Sequence, residues 1–371
     1  MHTFRTVERL VSGPGCFGQL GELARALGRR ALVVTGRRAM RKAGVTDRAC
    51  SLLDAAGVEP RPFEKVPAEP TDAQVDAGRR LCRDEKCGLV IGIGGGSAMD
   101  AAKAVAALAF AEAPTADYVR GRAADADALL PCIAVATTSG TGAEVTPNAV
   151  LSHPEGGTKA SIRGAGILPR VAVVDPDLTL TCPPDVTAAS GMDALAQAIE
   201  SYVSIHATPL TEALSSRAAA LLLVNLPAAY EDGRNRAARE ACAYGSMMAG
   251  MALANARLGV VHGIAHPLGM RYHIPHGTCC GMLLPASIRL NRPAAAQKYD
   301  TLSQIAGGEI AEVVDGMLDK FRIPRTLAAY NVPRSAFRAI AEESMPSGSL
   351  KANPKKIAVE DVLHILEQVA G

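Results

Sequence analysis

The chain has no tryptophan, and aromatic residues make up 4% of its 371 positions, so its core is left to aliphatic side chains. It has almost no net charge: 39 Lys and Arg against 37 Asp and Glu give +2. Basic residues form no long runs, which argues against nucleic acid or an acidic membrane surface as a partner. No stretch reaches the roughly 18 uncharged apolar residues of a membrane span. The opening MHTFRTVERLVSGPG lacks the apolar core of a signal peptide, and a cytoplasmic location is the expectation. The nine cysteines are odd in number and scattered, and no pair has the Cys-x-x-Cys spacing. Free thiols in a reducing compartment are therefore expected, and the adjacent Cys279-Cys280 is not read as a metal knuckle.

Against these absences stands one concentration. Four of the eight histidines, His262, His266, His273 and His276, lie in a fifteen-residue stretch. Imidazole ligates borderline metals and titrates near neutral pH, so the cluster points to a metal site, an acid–base site, or both. His262 and His266 are four apart, as on one helix face. Pro267 is expected to strain a helix running through it.

The chain is long enough for two domains. Its first half alternates apolar runs (31–35, 61–66, 88–93, 130–137, 171–174) with helical stretches (18–27, 47–56, 71–83, 97–109), the pattern of a parallel sheet covered on both faces. After the turn Cys182-Pro183-Pro184 strand-like runs almost vanish and long alanine-rich helical stretches follow. The expectation is an α/β dinucleotide-binding domain over 1–182, an all-α domain over 183–371, and a ligand in the cleft between them.

Two loops in the first half suit a nucleotide. The first run ends a strand with Gly94-Gly95-Gly96-Ser97 and continues as a helix through Asp100. Side-chain-free backbone and a helix N-terminus admit a phosphate, with Ser97 as the expected cap. The second, Thr137-Thr138-Ser139-Gly140-Thr141-Gly142, offers hydroxyls at another strand end. Neither is a Gly-x-Gly-x-x-Gly or Walker sequence. In the second half, Asp193 and Gln197 share a helix face, with Asp193 a candidate oxygen ligand or simply a first-turn carboxylate. Glu200 and Tyr202 read as structural.

Taken together, GGGSAMDAAK, TTSGTGAEVT, DPDLT, GMDALAQAIESY and VHGIAHPLGMRYHIPHG resemble, in order and spacing, the iron-containing (group III) alcohol dehydrogenase family. The resemblance implies a dehydroquinate synthase-like architecture. It implies reversible hydride transfer between a nicotinamide and a small aldehyde or alcohol, and a divalent metal, Fe²⁺ or Zn²⁺. Metal ligands would fall on Asp193, Gln197, His262 and His276, and the histidine near the nicotinamide would be His266. Cofactor contacts would come from Gly95, Gly96, Ser97, Thr137, Thr138, Thr141, Lys159 and Leu178, with Asp100 nearby. A homodimer is the family-based expectation.

Two departures are informative. The family usually has His where this chain has Gln197, and an amide oxygen is the weaker ligand. Loss of the metal, as in maleylacetate reductase-like relatives, is the alternative, but Asp193, His262 and His276 favour retention. After the first strand, Gly36-Arg37-Arg38 offers two guanidiniums where many NAD users carry an acid, which predicts NADP(H) over NAD(H). The rival readings are a sugar-phosphate cyclase of the dehydroquinate synthase type and a non-catalytic nucleotide-binding sensor.

Overall fold

The computed structural model describes residues 2–123 and 130–371. They form two compact units. One comprises Thr6–Thr138 and Gly142–Thr181; the other comprises Cys182–Gly371, the N-terminal residues up to Arg5, and the three residues Ser139–Thr141. The expected single cut after residue 182 thus differs at two short segments, which cluster with the helical unit.

The first unit is built on a six-stranded parallel sheet. Its strands are β1 (Arg9–Ser12), β2 (Arg30–Gly36), β3 (Glu59–Val66), β4 (Leu89–Gly94), β5 (Cys132–Ala136) and β8 (Val171–Val174), in the order β1-β8-β5-β4-β2-β3. Strands β4, β5 and β8 are buried along their whole length, and β2 is buried but for its ends. They read as unbroken apolar runs because helices cover both faces. Alternate residues feed separate cores: Leu32, Val34 and Val90 on one face, Val33, Leu89 and Ile91 on the other. A separate hairpin, β6 (Asn148–His153) with β7 (Thr158–Arg163), is antiparallel.

Among the covering helices are α1 (Val45–Ala55), α2 (Asp72–Asp84) and α3 (Gly96–Leu108). Helix α3 follows β4 and lies close against it. A Cβ on Gly92 would stand 2.6 Å from the Ala102 methyl, so the small residues of both elements set this approach. Lys103 is fully buried on α3. Its ammonium pairs with Asp100 at 2.9 Å and donates to the carbonyl of Ala143 at 2.9 Å and to that of Asn148. Asp100 also accepts from the amide of Val150 at 3.0 Å. These two charged residues therefore anchor the hairpin to α3.

The helical unit contains α4 (Pro184–Val203), α5 (Pro209–Glu231), α6 (Arg236–Ala256), α7 (Val260–Tyr272) and α8 (His276–Asn291), followed by helices Ala296–Ala306, Ile310–Lys320, Phe337–Ser344 and Val359–Gln368. Glycines let the first three approach. A Cβ on Gly191 would meet Leu226 of α5 at 2.2 Å, and one on Gly245 would meet Leu222 at 2.9 Å. Helix α5 runs through Pro227, and α7 runs through Pro267. Each proline forfeits one backbone hydrogen bond. Burial of Leu226 and Ala229, and of Leu268 and Gly269, outweighs that loss.

Glu144, 3% exposed beside the second glycine loop, is the costly charge of the first unit. Burial pushes its carboxyl from 4.5 up to about 7, against a backbone hydrogen bond and the Lys103 charge, which pull it down. The folded chain holds this proton more tightly than the unfolded one, so stability falls as pH rises between those values and the full cost is present above about 7. Glu144→Gln should therefore stabilise the protein by about 3 kcal/mol at pH 8 and hardly at all below pH 4.5. Denaturant titrations of parent and variant across that range check this; a difference independent of pH would contradict it.

Candidate active site

The carboxyl ends of the parallel strands gather most of the residues expected to hold a nucleotide. Gly36 ends β2, Gly94 ends β4, and Thr137 follows β5 with its amide donating to the Gly94 carbonyl at 3.0 Å. Strand order reverses between β2 and β4, the place where open α/β sheets take ligands. Gly94 has φ 152°, a conformation side chains rarely adopt. A Cβ on Gly95 would come 3.3 Å from the Thr138 hydroxyl, so the space beside this glycine is tight.

Several of the expected roles look different in place. Gly95, not Ser97, is the N-cap of α3; the Ser97 hydroxyl lies within the first turn and donates to the carbonyl of Ala68. The free N–H groups of the helix start are thereby left without a side-chain cap, as a phosphate-binding terminus requires. Asp100 is committed to Lys103 and Val150, as described. Lys159 pairs with Glu69 at 2.8 Å. Leu178 is buried in the short helix Pro176–Thr179. Thr141 clusters with the helical unit. Arg37 and Arg38 are exposed and carry no ion pair with a described carboxylate; Arg37 lines an open depression of about 440 Å³ with Lys65 and Gln74.

In the helical unit three helices converge on one buried point. Asp193, Gln197 and Glu200 occupy successive turns of one face of α4, all buried. Helix α7 supplies His262 and α8 supplies His276, one turn before Cys280 on the same face. The Asp193 Oδ1 lies 3.1 Å from His262 Nε2 and 3.7 Å from His276 Nε2. The Cys280 Sγ lies 3.8 Å from His262 Nε2 and 3.6 Å from His276 Nε2. One donor atom from each of the four residues falls within 4.8 Å of all the others.

The remaining nitrogen of His262 is held from behind. Its Nδ1 donates to Glu200 Oε2 at 2.6 Å, and the other Glu200 oxygen accepts the Val261 amide at 2.7 Å. This fixes the ring with Nε2 facing Asp193, and in the neutral ring that a cation would bind, the proton stays on Nδ1. The start of α7 is further tied by Asn353, whose Oδ1 accepts the Val260 amide at 3.2 Å. Glu200, read from sequence as structural, is thus the residue that aims His262. Its spacing from Asp193, two turns along one face, was the available signal. Cys280 was missed too; its signal was its place four residues after His276.

The cluster is electrostatically coupled. Burial opposes charge on Asp193, yet the His276 and His262 charges and a hydrogen bond from Gln197 hold it below its ordinary value. Burial likewise opposes charge on Cys280, but the two imidazoles win and lower it. Both imidazoles are raised, His262 strongly: burial works against them, and Cys280 and Asp193 outweigh it, with Glu200 adding to the rise at His262. Any hydrogen bond between Gln197 and the ionised Asp193 must come from the amide N–H, since that carboxylate only accepts. The Gln197 Oε1 is buried with no partner. A converging set of oxygen, nitrogen and sulfur donors beside an orphaned buried acceptor suits a divalent cation with bound water. His266 is exposed and stacks on His276, ring centroids 5.3 Å apart, and His273 caps the end of α7 in a left-handed conformation.

Models of two families match: "Iron-containing alcohol dehydrogenase" over residues 8–176 and the "Fe-containing alcohol dehydrogenase family, C-terminal" over 187–370. The chain belongs to the iron-containing alcohol dehydrogenase family. It is 36% identical to the 1,3-propanediol dehydrogenase of Klebsiella pneumoniae, covering 96% of this chain and 95% of that one. A solved 1,3-propanediol oxidoreductase superposes with a TM-score of 0.95 at 33% identity over the whole of both chains. The sulfoacetaldehyde reductase of Bifidobacterium kashiwanohense, solved with NAD⁺, gives 0.93 at 29% identity, covering 100% of this chain and 99% of that one. The protein is an alcohol/aldehyde oxidoreductase of this family, and the cyclase and sensor readings are not favoured.

The packing of α4 against α8 sets the cluster's dimensions. A Cβ on Gly277 would fall 2.0 Å from the Ala189 carbonyl oxygen, backbone that cannot rotate away. Gly277→Ala, next to His276, should cost about 1–3 kcal/mol and lower the melting temperature by several degrees. An unchanged melting temperature would contradict the close approach of these helices.

Proposed function

We propose that this dehydrogenase uses a divalent metal held by Asp193, His262 and His276 and a nicotinamide cofactor held at the strand ends, NADP(H) in preference to NAD(H). The observation that carries the reading is the convergence of those three donors, with His262 aimed by Glu200. When bound, the metal supplies Lewis acidity toward a carbonyl oxygen and the nicotinamide supplies or accepts the hydride. The chain's own part is positioning and proton handling. Glu200 and the start of α7 keep the His262 Nε2 lone pair directed into the cluster. The uncapped first turn of α3 and the glycines before it receive the cofactor's phosphates. His266, exposed beside His276, carries a proton between the alcohol oxygen and water. The substrate is a small aldehyde or alcohol. The nine cysteines are all unpaired, in keeping with a reducing compartment, and among the described residues no helix is long and apolar enough to cross a membrane.

The test is NADPH oxidation by the metal-loaded protein across short, hydroxylated and acidic aldehydes. Stoichiometric oxidation is expected, which a cyclase would not give. Chelation should abolish it and Zn²⁺ or Fe²⁺ should restore it; full turnover in the stripped protein would overturn the metal's role.

Cofactor preference rests on Arg37 and Arg38, whose guanidiniums no described carboxylate neutralises. A bidentate phosphate contact is a charge-assisted bond of about 1.5–3 kcal/mol. Arg37→Ala should therefore raise KM for NADPH roughly tenfold or more, leaving that for NADH nearly unchanged. Equal effects on both cofactors would remove the argument.

A further inference from the structure

We infer that Cys280 is a fourth metal ligand, binding as thiolate in preference to the Gln197 amide. The inference rests on the proposed Asp193–His262–His276 site and goes beyond it. Tetrahedral bonds of about 2.0–2.1 Å to nitrogen and about 2.3 Å to sulfur imply N···S edges of about 3.6 Å. The Cys280 Sγ stands 3.6 and 3.8 Å from the two imidazole nitrogens. The sulfur is completely buried, and the donor atoms near it are those of the cluster.

Gln197 offers only a neutral amide, a weaker donor than a thiolate. Its hydrogen bonding helps hold Asp193 ionised, and it is assigned to positioning that carboxylate. A thiolate also changes the chemistry of the site. Sulfur favours Zn²⁺ and its tetrahedral analogue Co²⁺ over the harder, oxygen-preferring cations. Cys279, adjacent in sequence, faces elsewhere, with its sulfur 3.9 Å from the Ile274 carbonyl.

The experiment is cobalt substitution of the full chain. Protein stripped by chelator is loaded anaerobically with one equivalent of Co²⁺, and the absorption spectrum is recorded for the parent, Cys280→Ser, Cys280→Ala, Cys279→Ser and Gln197→Ala. A sulfur-to-cobalt charge-transfer band in the near ultraviolet is expected in the parent, Cys279→Ser and Gln197→Ala, and not in either Cys280 variant. Zn²⁺ affinity should fall about tenfold or more in Cys280→Ser, at least what loss of an outer hydrogen-bond partner costs such sites. Uptake of Co²⁺ by the parent with visible d–d bands but no charge-transfer band would overturn the thiolate and spare the site. A band that survives in the Cys280 variants would also overturn it. Failure of the parent to take up Co²⁺ would overturn both. Should the Cys280 variants not fold, zinc X-ray absorption of the parent decides: a Zn–S shell near about 2.3 Å is expected, and a shell of nitrogen and oxygen alone would defeat the inference.

Discussion

Glu200 grips two groups at once, the Nδ1–H of His262 and the backbone amide of Val261, and the chemistry of the helical unit hangs on that grip. One carboxylate thereby sets a tautomer, fixes a ring and caps the start of α7. The positive end of that helix in turn steadies the carboxylate, so the arrangement is self-consistent. Asn353, arriving from near the other end of the chain, ties the same helix start to Asn291. The ring so held meets Asp193 with its other nitrogen. Two acidic residues seven apart on α4 therefore bracket one imidazole, and the spacing of a single helix face becomes the spacing of a ligand set.

The two units solve opposite problems. In the proposed reading the α/β unit receives anionic phosphates with backbone: glycines, an uncapped helix start and the point where strand order reverses. Its buried charges, Lys103 and Asp100, are satisfied internally and hold the hairpin in place. The helical unit concentrates side-chain charge in a cluster that is buried except at His276, and each group there is tolerable only because its neighbours compensate. Asp193 and Cys280 are held acidic by the two imidazoles, and the imidazoles are held basic by those two acids. A cation would replace protons in a set already arranged to share positive charge.

Much of this was legible in the sequence because the signals were periodic. Strands β2, β4, β5 and β8 announced themselves as apolar runs, and the loops after β4 and β5 carried their glycines and hydroxyls in plain view. Strand β1 and the β6–β7 hairpin did not, being short, half-exposed or rich in polar residues. Pro267 was read as straining a helix, and α7 runs through it because tertiary burial overrides local cost. In the site, Asp193, His262 and His276 stood out by residue type. Glu200 and Cys280 did not, because their meaning lies in which partner they face. Ser97 and Asp100 carried the right types at the right places, yet their hydrogen bonds go to the protein's own framework.

The three residues Ser139–Thr141 have a consequence for how this protein can be divided. They sit in the midst of the α/β sequence yet belong to the helical unit, and Gly140 lies so near Ser190 of α4 that an added methyl would collide at 2.6 Å. The chain thus passes from one unit to the other four times rather than once. A gene cut after residue 182 would leave the helical fragment without the loop that abuts α4 three residues before Asp193. The halves are separable as patterns in a sequence but not as inheritable modules: exchanging one between relatives would mean exchanging that loop as well.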